Sequence, residues 1–347
     1  MFKQMESNGA QRLHFCSDPA TGLKAIIAIH STLRGPAIGG CRFISYQNDN
    51  DAITDAMRLA RGMSYKSALA GLPHGGAKSV LIYPDHPFDR AALMQQFGQF
   101  VTELGGEYIT AMDSGTQISD MDNISMKTRW VTCTSEIGDP SPHTALGVFE
   151  GIKASVKFKL GLQSLSGLHV TIQGVGHVGY EVARLLHQAG AILTVSDMNT
   201  EPVKRCQRDF QASAVAPDDI YSVPAEVFCP CGLGAILNDE HISQLQVPII
   251  AGSANNQLAQ EHHGDQLKDK GILYAPDYLI NSGGLIFVAL QYAKQPAAMI
   301  RNKVIRIGDS LLHLYKEAEQ SGTAIHRLAD ERAQSIIASA GKMTSAA

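Results

Sequence analysis

Long apolar runs are missing from this 347-residue chain. Its most apolar stretches, around residues 23–29 and 285–290, fall far short of the roughly 18 residues that a membrane helix requires. The opening MFKQMESNGAQ lacks a basic region followed by an apolar one, so no signal peptide is expected. A dominant charge sign is also missing: 29 Lys+Arg oppose 33 Asp+Glu, for a net charge of −4. That balance argues against bulk attraction to nucleic acid or an anionic membrane, and the excess is too small and dispersed for disorder. Cysteine is sparse, with six residues, and no two stand in the C-x-x-C spacing of redox or zinc sites. Cys229 and Cys231 flank Pro230. On the argument that strand neighbours point to opposite faces, no shared ligand is expected there, and the cysteines read as small buried hydrophobes. His262 and His263 lie in a polar stretch and read as a solvated helix face, so no metal is expected. A soluble, cytoplasmic protein is the expectation.

What is present is a 44% hydrophobic composition, enough for a large core without staples. At about 150 residues per domain the length predicts two domains. Strand-like runs at 12–16 and 24–30 are separated by the turn DPATG. Helical spacing follows at 51–61 and at 90–104, where Leu93, Phe97, Phe100, Val101 and Leu104 share a face. A strand at 108–111 completes a mixed sheet flanked by helices, assigned to residues 1–140. The DPSP segment at 139–142 breaks regular structure and marks the boundary. From Gly167 the segments HVTIQG, GYEVARLLHQAG, ILTVSD, EVFCPC, PIIAG and ILYAPD alternate strand and helix in the main. Such alternation implies a parallel, doubly wound sheet over 141–324. One long helical segment is expected from about 297 to 321, and residues 325–347 are expected to pack back on the first domain. The fold class is therefore α/β, in two domains.

Gly174-Val175-Gly176-His177-Val178-Gly179 matches G-x-G-x-x-G, after an apolar strand and at the start of an amphipathic helix. Gly174 allows a tight turn, Gly176 lets the backbone approach a pyrophosphate, and Gly179 lets helix and strand pack closely. The helix amino terminus, opening around Val178, offers free N–H groups and partial positive charge to phosphates. Asp197 follows Gly174 by 23 residues at the end of the next strand, near the spacing of the carboxylate that accepts from a ribose 2′-hydroxyl. A carboxylate there repels a 2′-phosphate, so the expected cofactor is NAD. A structural glycine turn at a helix start is the alternative. A second pattern, Gly71 to Ser79, resembles a P-loop, but Ala77 stands where the lysine belongs and the preceding residues read as a helix.

Three ionisable residues sit in glycine-rich or apolar settings: Lys66 in GMSYKSALA, Lys78 in HGGAKSVLI and Asp113 after YITAM. Singly each reads as a surface or capping residue. Beside a nicotinamide site they suggest a chemistry. A charged lysine can pin an amino acid's carboxylate, and a second lysine buried beside it has its charged form disfavoured. That second lysine can then act as a general base. A nearby carboxylate can carry protons to and from nitrogen.

The segments ATGLKAIIAIH, GPAIGG, MSYKSALAGLPHGGAKSVLI, TAMDSGT, DPSPHTALGV, GVGHVG, IIAGSANNQL and YAPDYLINSGGLIFVA, in this order over most of the chain, resemble the glutamate/leucine/phenylalanine/valine dehydrogenase superfamily, and the leucine (branched-chain) enzymes most. The resemblance implies NAD-dependent, reversible oxidative deamination of an L-amino acid to a 2-oxo acid and ammonia. It implies Lys78 as the catalytic lysine, Asp113 as the aspartate assisting proton transfer, and Lys66 as the ligand of the substrate α-carboxylate. It places Gly39 and Gly40 in a tight backbone turn beside the substrate, Thr144 near the nicotinamide amide, Asn255 near the nicotinamide ribose, and Asn281 near cofactor and substrate. Ile38, Ala111, Leu285 and Val288 match side-chain-facing positions and are apolar, which implies a leucine, valine or isoleucine substrate. Met112, Pro73, His74, Ala77 and Phe287 depart from the leucine pattern, and an aromatic substrate is the alternative. A non-catalytic NAD-binding regulator is the other alternative; it has no need of Lys66, Lys78 and Asp113 together. A homo-oligomer, dimer or octamer, is implied, as is a cleft between the domains.

Overall fold

A computed structural model describes residues 1–344 except Leu233, with side chains described through Gly341. The chain forms two compact units. The first comprises Met1–Asp139, Val288–Gln295 and the chain from Arg332 onward; the second comprises Pro140–Phe287 and Pro296–Glu331.

The first unit runs α1 (Phe2–Asn8), β1 (Arg12–Asp18), β2 (Leu23–Ser31), β3 (Ala37–Ile44), α2 (Asp49–Leu69), β4 (Gly75–Ile82), α3 (Arg90–Glu103), β5 (Tyr108–Met112) and α4 (Ile118–Ser125). Its five strands are ordered β1-β2-β4-β3-β5. The β1–β2 and β2–β4 pairs are antiparallel, and β4–β3 and β3–β5 are parallel, which makes the sheet mixed. Helix α2 starts where the Asn48 side chain accepts from the Asp51 N–H, with Asp49 and Asp51 in its first turn, where acidic residues complement the helix dipole. Its buried face, Ala52, Ile53, Ala56, Met57 and Ala60, packs on Ile26 and Ala28 of β2 and Val80 of β4. Small residues on that face allow close approach. A Cβ on Gly76 would collide with the Ser64 backbone, so glycine lets α2 lie directly on β4.

The second unit runs α5 (Ser141–Leu160), β6 (His169–Gln173), α6 (His177–Gln188), β7 (Ile192–Ser196), α7 (Thr200–Phe210), β8 (Ser213–Ala214), β9 (Val227–Pro230), α8 (Asp239–Gln244), β10 (Ile249–Ile250), α9 (His262–Asp269), β11 (Leu273–Tyr274) and α10 (Asp277–Ile280). Helices α11 (Gly283–Tyr292), α12 (Ala297–Ile305), α13 (Ile307–Ser321) and α14 (Ile325–Thr344) follow; α11 and α14 each contribute to both units. The six strands are all parallel, in the order β11-β10-β9-β6-β7-β8. That is the dinucleotide-fold order 3-2-1-4-5-6, with its reversal between β6 and β9. Among the described residues no helix is long and apolar enough to cross a membrane.

Three local expectations are corrected. The GPAIGG run does not form a tight turn at Gly39 and Gly40; both lie inside strand β3. A Cβ on Gly39 would overlap the Ala77 carbonyl, so glycine serves close strand approach there. The segment 297–321 is not one helix but α12 and α13, which meet at Arg306. Cys229 and Cys231 do not point apart. They are two residues apart, a spacing that puts strand side chains on the same face, and their Sγ atoms lie 3.6 Å from each other.

Candidate active site

In the first unit the parallel strands β4, β3 and β5 bring the chemistry together. Gly40 is in register with Ala111, and Cys41 with Met112. Strand alternation puts Gly40 and Arg42 on one face, and Asp113 follows at the carboxyl end of β5. Lys78, in mid-β4 and 5% exposed, reaches the same face. Its Nζ donates to Asp113 Oδ2 in a short, direct contact. The pair meets over Gly40: a Cβ there would stand 2.7 Å from Asp113 Cβ and 3.1 Å from Lys78 Nζ. A side chain on residue 40 would force the two apart.

Asp113 is held from two further directions. Its backbone N–H donates to Thr116 Oγ1 at 2.9 Å, and the one proton of that hydroxyl is shared between the Asp113 carbonyl at 2.7 Å and the Cys41 carbonyl at 3.0 Å. Arg42 Nε lies 3.5 Å from Asp113 Oδ2, while Arg42 Nη1 donates to Asp55 Oδ2 at 2.8 Å and Tyr46 Oη to the same oxygen at 2.7 Å. Burial pushes the Asp113 carboxyl up, but the adjacent Lys78 and Arg42 charges, with hydrogen bonds from Lys78 and the Ser114 N–H, hold it well below the usual carboxylate range. Burial works against the Arg42 charge, and Asp113 and Asp55 more than restore it. Sequence reasoning missed Arg42 and Asp55. The available signal was an arginine inside the otherwise apolar strand AIGGCRFI, where a charge needs a partner.

Lys66 lies half-buried in the last turn of α2, the helix that packs on β4. Ile38 is fully buried on the Gly40 face of β3, and Ala111 is buried in β5. Leu285 and Val288 are buried three residues apart on α11, a spacing that places them on one helix face. The division between units falls between them, after Phe287.

In the second unit the glycine turn sits at the sheet's switch point. Gly174 has φ +88°, a backbone conformation that favours glycine, and its N–H donates to the Ser196 carbonyl at 2.7 Å. A Cβ on Gly179 would collide with the Gly174 carbonyl, whereas a Cβ on Gly176 would meet nothing within 4 Å. The space beside Gly176 is open, with room for a pyrophosphate. Gly176 caps α6 with no side-chain hydrogen bond, so the first-turn N–H groups, Val178 among them, lack a side-chain partner at this end. Asp197 Oδ2 accepts from the Val175 N–H at 2.8 Å and Oδ1 from the Asn199 N–H at 2.9 Å. The carboxylate is thereby fixed, with lone pairs left for hydroxyls.

The other cofactor candidates lie beside one another. Asn281 Nδ2 donates to the Ser253 carbonyl at 3.0 Å and to Asn255 Oδ1 at 2.8 Å, and its own Oδ1 is buried without a hydrogen-bond partner. Such an orphaned acceptor fits a ligand hydroxyl or amide. Thr144, in the first turn of α5, backs onto the NSGG segment, where a Cβ on Gly284 would crowd its Oγ1. These residues fit a dinucleotide.

Among the described residues one group, Asp239, His262 and His263, has metal-ligand spacing. His263 Nδ1 accepts from the Gln260 N–H at 2.9 Å, and burial, with the neighbouring His262, lowers the ring's pKa. The neutral ring then carries its proton on Nε2, the atom facing Asp239, and His263 is buried, not on the solvated helix face expected of it.

The family model for the Glu/Leu/Phe/Val dehydrogenase dimerisation domain matches residues 10–130, and the Glutamate/Leucine/Phenylalanine/Valine dehydrogenase model matches residues 198–343. The chain belongs to this family. It is 46% identical to a leucine dehydrogenase of Bacillus subtilis over 340 residues, 96% of this chain and 93% of that one. It is 41% identical to a phenylalanine dehydrogenase of Bacillus thermotolerans over 351 residues, 99% of this chain and 91% of the relative. The crystal structure of L-tryptophan dehydrogenase from Nostoc punctiforme superposes with a TM-score of 0.85 at 39% identity, covering 99% of this chain and 100% of that one. The protein is an amino-acid dehydrogenase with the family's nicotinamide-cofactor chemistry.

Proposed function

We propose that the protein catalyses the NAD-dependent, reversible oxidative deamination of a branched-chain aliphatic L-amino acid to the 2-oxo acid and ammonia. The observation that carries it is the Lys78–Asp113 pair over Gly40, in a chain most of whose length matches leucine dehydrogenases. In this reading the first unit binds the substrate and the second binds the dinucleotide; the bounds expected from the sequence shift, because 288–295 belong to the first unit and 325–331 to the second.

The bound dinucleotide supplies a hydride acceptor for the substrate Cα. Lys66 pins the α-carboxylate. Lys78, once it has given up its own proton, takes one from water as the oxygen attacks the iminium carbon, and its restored charge again faces Asp113 Oδ2. Asp113, anionic at neutral pH, exchanges protons with the substrate nitrogen until ammonia departs. Gly39 and Gly40 keep the β3 backbone close to the reacting groups. Positioned acid–base groups of this kind contribute about 10²–10⁴ in rate. Ile38, Ala111, Leu285 and Val288 offer no charge to a side-chain carboxylate, which favours an aliphatic substrate over glutamate. Gly174, Gly176, Val178 and Gly179 receive the pyrophosphate. Asp197 accepts from the adenosine ribose and selects NAD over NADP, and Thr144, Asn255 and Asn281 hold the nicotinamide end. A homo-oligomer, dimer or octamer, is proposed from the family's dimerisation domain; sedimentation equilibrium distinguishes these from a monomer.

The test is NAD and NADP reduction with a panel of L-amino acids at alkaline pH, for the parent protein and Lys78→Ala. Leucine, valine and isoleucine should lead with NAD, and Lys78→Ala should abolish turnover while NADH still binds. Preference for phenylalanine or tryptophan supports the aromatic reading, and no reduction with any amino acid supports a regulator.

A further inference from the structure

Cys229 lies in β9 and Cys231 just past its carboxyl end, beside β6 at the sheet's switch point. Their sulfurs are 3.6 Å apart; Cys229 is buried and Cys231 is partly open. Cys231 touches both halves of the dinucleotide end. Its N–H donates to the carbonyl of Gln173, the residue before the glycine turn, at 2.6 Å. Its carbonyl carbon lies 2.9 Å from the place of a Cβ on Gly174, and its Cβ 3.2 Å from that on Gly179. Ser253, whose carbonyl receives Asn281, also acts on the Cys231 sulfur and favours its thiolate.

The two thiols are also chemically unequal. The hydrogen bond from Cys229, aided by Ser253, holds the Cys231 thiol below its ordinary range despite burial. The shared hydrogen bond and burial raise Cys229. Burial pushes Cys41 up to about 12 and Cys133 and Cys206 to about 11. A thiolate-prone, partly open cysteine with a second thiol beside it is the arrangement of a peroxide-sensitive pair.

We propose that Cys229 and Cys231 are a dithiol–disulfide site for hydroperoxides, and that closing the bond disables the dinucleotide turn. This rests on the reading that the turn at 174–179 receives the pyrophosphate. The Cys231 thiolate attacks one peroxide oxygen, the O–O bond breaks, and Cys231 becomes a sulfenic acid as hydroxide leaves. The Cys229 sulfur then displaces the sulfenic oxygen. The S–S bond forms, and its thiol proton and the hydroxyl leave as water. Overall the dithiol loses two hydrogens and one peroxide becomes two waters. Strand residues two apart have Cα atoms roughly 6.6 Å apart, near the upper end of the roughly 4.4–6.8 Å that a disulfide spans. Closure therefore pulls Cys231 toward Cys229 and away from Gly174, Gly179 and Ser253. Strained bonds of this kind are readily reduced.

The experiment treats the whole protein with hydrogen peroxide, blocks free thiols, maps the peptide containing 229–231 by mass spectrometry, and measures NADH affinity before treatment, after it, and after dithiothreitol. The expected result is loss of two hydrogens from that peptide, NADH binding weakened about tenfold or more, and recovery on reduction. Cys229→Ala should bind NADH as the parent does when reduced, and should keep that binding at a peroxide dose that weakens the parent. Sulfenic or sulfinic acid at Cys231 without the bond overturns the proposal. So does a formed bond with unchanged affinity, or equal loss in Cys229→Ala. A protein that binds no NADH before treatment sinks the dinucleotide reading and this control together; unchanged affinity after closure sinks the control alone.

Discussion

At residue 40 a hydrogen stands where any other residue would place a carbon between an acid and a base. Gly40→Ala should therefore separate Lys78 from Asp113, and an ångström of misplacement in a reacting pair costs about 10²-fold in rate. Gly39→Ala instead drives a Cβ into the Ala77 carbonyl, a backbone collision in the centre of the sheet. The expected contrast is a folded, slow enzyme for Gly40→Ala and a large loss of melting temperature for Gly39→Ala, read by turnover and thermal unfolding. Asp113 gives a second prediction. Its folded pKa is depressed, so its contribution to stability is full above the unfolded value of about 3.9 and is lost as pH falls through the folded one. Arg42→Met removes one of the two charges that hold it down. The acidic limb of the pH–rate profile should move to higher pH, and Arg42→Lys should largely restore it; identical limbs in all three proteins would remove Arg42 from the site. Lys78 and Asp113 were legible because a glycine-rich approach and a strand end mark them along the chain. Arg42 was not, because its partners come from another strand and from α2.

Elements explain the rest of what was misread. Glycine is depleted in strands, yet Gly39 and Gly40, where the family resemblance implied a turn, lie in β3, and Gly75 and Gly76 open β4. Only the paired sheet reveals that Gly39, Gly40 and Gly76 are contact points between backbones. The glycine turn was easier, because strand, glycines and helix follow one another within residues 169–188, a local pattern. Its glycines are still not equivalent. Gly179→Ala places a Cβ against the Gly174 carbonyl and should lower the melting temperature. Gly176→Ala places one in open space, so the fold should keep its melting temperature while NADH binding falls. If Gly176→Ala binds NADH as the parent does, the pyrophosphate does not approach there. The same element logic reverses the expectation for Cys229 and Cys231, since a strand returns to the same face every second residue.

On the scale of the molecule, the two styles of sequence correspond to two units, but neither unit is one continuous stretch. The chain passes between them after Asp139, Phe287, Gln295 and Glu331. Nothing in the apolar run LIFVALQYA marks the change after Phe287, because a helix core looks alike whichever body it belongs to. The division of labour assigned to the units is open to direct measurement by hydrogen exchange, since ligands slow exchange where they bind or stabilise the fold. NADH alone should protect the amides of 174–179 and 253–255. A branched-chain 2-oxo acid added to the NADH complex should extend protection to 37–42, 75–79 and 110–113, where Ile38, Gly40, Lys78, Ala111 and Asp113 lie. Protection of 75–79 by NADH with none at 174–179 would reverse the assignment, and Lys78 would then belong to the cofactor's site and not to the substrate's.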